Sequence, residues 1–224
     1  RRSSDLLKQK KYTQIPQLSS SREVNLKEEK FSVMNPKPSG RTKALLIGIN
    51  YFGQQGELSG CVNDVKMIKD FIISQGFSAD AARMQILTDD KNFANAAPTA
   101  NNIFSAMQWL LADMQPGDSL FFHFSGHGGQ LPDDDGDEED GFDETMVPVD
   151  YAQSGQIRDD TIFKLLVAPL KEGVQLVAVF DCCHSGTILD LPYMFAADES
   201  GCQSIASGSA STKPNQGFNM GSAL

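Results

Sequence analysis

The chain has 224 residues, 40% of them hydrophobic, enough for one α/β core with tails. Its net charge of −10 is uneven: residues 1–43 hold 11 Lys/Arg against 4 Asp/Glu, and the rest holds 8 against 25. So acidic a body excludes nucleic acid as the main ligand and suits a basic substrate, a cation, or both.

Residues 1–41 mix Ser, Lys, Gln and Pro without sustained periodicity and read as a basic extension. Such an arm is either solvated or drawn onto the acidic body as an inhibitory pro-segment that self-cleavage would remove. It lacks an apolar core of signal-peptide length. No apolar run in the chain nears the ~18 residues of a membrane span, so neither membrane nor export is expected and the cytoplasm is the default. Cysteines at 61, 182, 183 and 202 are too few for a disulfide scaffold and read as reduced thiols.

Lys43 to Asn50 (KALLIGIN) is a short apolar run ending in turn residues, hence a buried strand. Val62, Val65, Ile68 and Ile72 follow helical spacing, with Gly76 as the stop. Met84 to Thr88 is a second strand. Pro98-Thr99 opens a helix whose Ile103, Met107, Leu110, Leu111 and Met114 trace one face, which makes Trp109 and the methionines core or half-buried. Ser119 to Phe124 is a third strand, followed by a long acidic loop. Asp159-Asp160 can cap a helix reaching about Leu170. Val174 to Phe180 is a fourth strand. After Tyr193 no further strand is expected. Four apolar strands separated by helices predict an α/β fold: a mostly parallel central sheet with helices on both faces.

Sites in such sheets form at the carboxyl ends of strands. The third strand ends HFSGHGG, with His123, Ser125 and His127. The fourth ends FDCCHSGT, with Asp181, Cys182, Cys183 and His184. Strand side chains alternate, so Asp181 and Cys183 share a side, and Ser125 and His127 share one. Parity therefore selects Cys183, not Cys182, as the thiol facing His127. A thiol beside an imidazole supports covalent acyl transfer. The backbone N–H groups of Gly128 and Cys183 could stabilise an oxyanion. A zinc site is disfavoured, because Cys182-Cys183-His184 lacks the gaps that let ligands converge. His123, inside its strand, reads as a packed structural histidine, and His184 as a residue orienting the loop.

Ser125-Gly126-His127-Gly128 and the run Asp181 to Gly186 (DCCHSG) resemble the His and Cys motifs of type I metacaspases, in the caspase-hemoglobinase fold. The likeness runs from about Ala44 (ALLIGINYFG) through GCVNDV, AMQWLL, GDEEDGFDE and VPVD to Tyr193. It implies a catalytic, large-subunit-like domain over residues 42–195, with 196–224 a linker or the truncated start of a small-subunit-like region. It implies hydrolysis of polypeptides after Arg or Lys by Cys183 and His127. Pocket positions then fall on Cys61, Asp64, Ser125 and Asp181, where two carboxylates suit a cationic side chain. Asp64 alone could equally be a charge at a helix start. The acidic loop Asp133 to Glu144 fails EF-hand spacing. The resemblance implies another Ca2+ site, at Asp143, Asp159, Asp160 and Asp190, that switches the enzyme on. A small-subunit-like partner chain or segment is expected to complete the cleft. The rival readings are a weakly active or inactive interaction module of the same fold, and a related peptidase of other specificity.

Overall fold

The computed structural model describes residue 38, residues 40–133, 141–189 and 191, and the backbone alone of 193–194 and 213–214. Residues 1–37 of the basic arm, the acidic stretch 134–140, Asp190 and Cys202 lie outside the described residues.

Strand β1 (Thr42–Gly48) leads to helix α1 (Cys61–Ser74), β2 (Met84–Thr88), α2 (Ala100–Leu111) and β3 (Ser119–Ser125). Strands β4 (Gly128–Pro132) and β5 (Phe142–Met146) come next, then the short helix α3 (Tyr151–Ser154) and β6 (Ile157–Arg158). Helix α4 (Asp159–Ile162) continues as a π-helical turn, Phe163–Val167, before β7 (Gln175–Asp181). The four expected strands form one parallel sheet in the order β2-β1-β3-β7.

Alternation along β1 and β3 feeds two cores. Leu45, Ile47, Phe122 and Phe124 pack with Ile103, Met107 and Leu110 of α2 on one face. Ala44, Leu46 and Phe121 pack with Val65 and Ile72 of α1 on the other. Both faces are covered, which is why these strands are continuous apolar runs. Each fully buried Leu, Ile or Phe contributes roughly 1.5–3 kcal/mol. The Thr99 side chain caps α2 by accepting from the Asn102 N–H, as the Pro-Thr signal predicts. Gly48 sets the height of α1: a Cβ there would stand 2.5 Å from the Cys61 carbonyl oxygen and 2.6 Å from Val65 Cγ2. Without that side chain, the first turn of α1 lies directly on the strand ends.

Three expectations need correction. The acidic loop is flanked by structure: β4 and β5 pair as an antiparallel ribbon, and β6 adds to β5. Glycines and a proline in β4 hide that strand from propensity. The helix from Asp159 keeps α geometry only to Ile162. Beyond Tyr193 the chain does form strand: β8 (Tyr193–Met194) pairs antiparallel with β9 (Lys213–Pro214). No helix among the described residues is long and apolar enough to cross a membrane.

Candidate active site

Strands β3 and β7 are neighbours in parallel register, with Ser125 opposite Asp181. The segments that follow therefore leave the sheet side by side. One turns through Gly126 and His127 into β4. The other bends through Cys182, Cys183 and His184, the last with a positive φ of 53°. They meet at Gly128, where a methyl group would overlap the Cys183 carbonyl oxygen and stand 3.2 Å from Cys182 Sγ. Only glycine admits that approach. The two expected oxyanion residues, Gly128 and Cys183, are thus in backbone contact.

The adjacent thiols have opposite environments. Cys182 is half-buried against the larger core. Burial, then the neighbouring Cys183 and Asp181, push its thiol up to about 12. It stays protonated and unreactive at neutral pH. Cys183 is exposed. The extended geometry that the parity reading assumes stops at Asp181. The bend itself sends 182 inward and 183 outward.

His127 is held on several sides. Its backbone N–H donates to the Tyr51 hydroxyl at 3.0 Å, which donates in turn to the Val147 carbonyl at 2.7 Å. The Val147 N–H returns to the His127 carbonyl at 3.1 Å. The Tyr51 and His127 rings lie 4.7 Å apart, tilted by 37°. Tyr51 is fully buried, and that burial drives its hydroxyl far above the usual tyrosine range, so it stays protonated. His127 Nε2 lies 2.6 Å from the Gly56 carbonyl oxygen. A carbonyl only accepts, so Nε2 carries a hydrogen and Nδ1 is the acceptor nitrogen of the neutral ring. Sequence reading singled out neither partner. Tyr51 was findable, because it follows the β1 end at the same sheet margin as the other site residues. A backbone carbonyl such as that of Gly56 leaves no signal in residue type.

The four expected pocket residues come together. Asp64 Oδ2 accepts from Ser125 Oγ at 2.9 Å. No side chain at the N-cap of α1, Gly60, closes the helix start, and Asn50 Oδ1 takes the Val62 N–H at 3.3 Å. Asp64 stands in the first turn of α1, as its reading as a helix-start charge has it, and its carboxylate also reaches the end of β3 at Ser125. Cys61 is 7% exposed; burial raises its thiol, the Ser125 hydroxyl opposes this, and the charges of Asp64 and Asp181 add to the rise. His123 feels the same two carboxylates. A cavity of about 390 Å³, lined by Arg41, Lys43, Trp109 and Asp118 among others, lies at the amino ends of the strands, away from this site.

The described members of the expected calcium set, Asp143, Asp159 and Asp160, lie beside the ribbon. Asp143 pairs with Arg158, and Asp160 with Lys164 at 3.3 Å. Asp159 accepts from the Glu144 N–H at 2.7 Å and from the Asp160 N–H at 2.8 Å. Burial raises Asp143; Arg158 opposes this, and the charges of Asp133 and Asp160 add to the rise. Among the described residues, no three His, Cys, Asp or Glu side chains are grouped to hold a metal ion. The donor type suits a hard cation, but two of the three described carboxylates already carry an internal cation. Glu144 also accepts from Thr187 Oγ1 at 2.5 Å, which ties this region to the segment that follows Cys183.

Residues 42–192 match the family described as metacaspase, peptidase C14 domain. Metacaspase-1A of Aspergillus fumigatus is 54% identical over 166 residues, 74% of this chain and 40% of that protein. Metacaspase-1 of Mycosarcoma maydis is 54% identical over 156 residues, 70% of this chain and 38% of that protein. The chain thus spans about 40% of the length of such relatives. Among solved structures, protein GSU0716 from Geobacter sulfurreducens is similar at a TM-score of 0.52 and 28% identity, covering 75% of this chain and 60% of that one.

Proposed function

The chain belongs to the metacaspase family, peptidase C14, and from that premise we propose that it carries the catalytic centre of a cysteine endopeptidase cleaving after Arg or Lys. The observation that carries the reading is convergence: Asp64 on Ser125, with Asp181 opposite Ser125 in register, beside the Cys183 segment. Two carboxylates and a hydroxyl match a guanidinium or ammonium group.

The proposed chemistry uses these groups in sequence. His127 Nδ1 takes the Cys183 proton, while Nε2–H stays on the Gly56 carbonyl and keeps the ring oriented. The thiolate attacks the carbonyl carbon that follows the bound Arg or Lys. The N–H groups of Gly128 and Cys183 receive the oxyanion. His127 returns its proton to the leaving amine, which breaks the C–N bond and leaves a thioester. Water, deprotonated by His127, attacks that thioester and frees Cys183.

Calcium is proposed as activator, held by Asp143, Asp159, Asp160 and Asp190. It would supply the positive charge that Arg158 and Lys164 now lend to two of these carboxylates. The hydrogen bonds that Asp159 accepts from the Glu144 N–H, and Glu144 from the Thr187 hydroxyl, support a coupling to the Cys183 segment. A small-subunit-like segment, from this chain or another, is proposed to add to β7. In support, β7 is the last strand of the described parallel sheet and is only half-buried along its length.

The test is hydrolysis of Arg, Lys and Asp fluorogenic peptides by the wild type and by Cys183→Ala, with calcium and with a chelator. Cleavage after Arg and Lys alone, lost in the variant and in chelator, is expected. Cleavage that survives Cys183→Ala would reject the mechanism.

A further inference from the structure

His123 is the largest polar side chain in the parallel sheet that its surroundings leave unexplained. It is 1% exposed, and its Nδ1 is a buried atom with no hydrogen-bond partner among the described residues. Leaving such an atom unpaired costs roughly 1–3 kcal/mol. An apolar residue would fill a strand interior without that cost.

Its position gives the polar ring a use. His123 lies two residues before Ser125 on β3, on the same face of the sheet and about 7 Å deeper along the strand. Its register partners, Leu46 on β1 and Val179 on β7, are apolar. Of the elements packed around it, β7 presents Asp181 and α1 presents Asp64 and Cys61, while β1 presents no titratable group. The ring thus lies beneath the four pocket residues, among groups that would surround a bound cation.

We propose that His123 is the floor of the pocket: a specificity-determining residue whose neutral ring accepts a hydrogen bond from the head of the bound Arg or Lys side chain, directly or through one water. The inference rests on the Arg/Lys reading and deepens it. A guanidinium has five N–H donors and an ammonium three. With Asp64 and Asp181 on its flanks, a guanidinium keeps a donor for the floor at least cost, so His123 favours Arg over Lys. Charge acts in the same sense. Burial holds the ring below the usual histidine range, although Asp181 and Asp64 oppose this. It is therefore neutral at neutral pH. Protonation at lower pH would place a positive charge beneath the substrate's own and weaken binding without touching His127.

Benzamidine, a rigid guanidinium-like cation, tests this independently of turnover. Its affinity for the full chain is measured by calorimetry for wild type, His123→Phe and His123→Gln, beside KM and kcat for Arg, Lys and norleucine peptides. Expected are a roughly tenfold loss of benzamidine affinity in His123→Phe and a smaller Arg-over-Lys ratio carried by KM. His123→Gln, which keeps an acceptor, should retain binding and lose the decline in affinity expected of the wild type as acid protonates His123. If wild type and both variants bind benzamidine equally at every pH, the floor assignment is wrong and the Arg/Lys pocket stands. If the wild type neither binds benzamidine nor prefers Arg over norleucine, the pocket itself is wrong and the floor falls with it. If His123→Phe does not fold, the pH comparison between wild type and His123→Gln decides alone.

Discussion

Strands β3 and β7 are hydrogen-bonded neighbours of equal length, yet they carry the two halves of the site in contrasting ways. Every residue of β3 is buried, and the imidazole beyond its end is fixed by Tyr51, Gly56 and Val147. Residues of β7 are half-buried or exposed, and the thiol beyond its end faces solvent. The proposed base is thus preorganised by the core, whereas the proposed nucleophile sits on the open margin where a substrate or another chain segment would arrive. General bases work through fixed geometry and nucleophiles through access, so the division suits acyl transfer.

The comparison can be broken most sharply at the thiols. Cys183→Ala should reduce turnover of an Arg peptide by more than about 1,000-fold, whereas Cys182→Ala keeps most of it. Peptide mapping after brief alkylation at neutral pH should find the label on Cys183 and not on Cys182. A label on Cys182 alone would reverse the assignment. Next in size is the joint between the two arms. Gly128→Ala forces the Cys183 carbonyl away, and a displacement of that kind should lower kcat by roughly 100-fold while circular dichroism stays unchanged.

Tyr51→Phe probes the β3 arm alone. It leaves the His127 N–H and the Val147 carbonyl without the bridging hydroxyl, at about 1–3 kcal/mol of stability read from urea melts. It should also lower kcat on the order of tenfold, with KM little changed. The smallest effect concerns acid. Because burial depresses His123, the unfolded chain takes up its proton first as pH falls through the ordinary histidine value of about 6.5. Stability should then drop below that pH in the wild type and drop less in His123→Gln, as followed by Tm. Equal slopes would show that His123 is not the buried titrating group.

Much of this was legible without coordinates. The β1 and β3 runs announce buried strands because both faces of a covered sheet are apolar, and the helical spacing of Val62, Val65 and Ile72 survives as the buried side of α1. The resemblance alone pointed to the expected pocket positions, and two of them, Asp64 and Ser125, are hydrogen-bonded to each other. The ribbon β4–β5 was not legible, since Gly128, Gly129 and Pro132 have low strand propensity and pair across an intervening acidic stretch. Nor was the hold of Arg158 on Asp143, a pairing between β6 and β5 that no local spacing announces.

The sequence alone determined the periodicities, hence the strands and helices, and the residue types able to do the chemistry, since both depend on neighbours along the chain. Tertiary packing decided which of two adjacent thiols meets water, which nitrogen of His127 is free, and that His123 lies under two carboxylates. Those properties depend on distances between residues far apart in sequence, such as Gly56 and His127, and only the assembled sheet with its covering helices sets them.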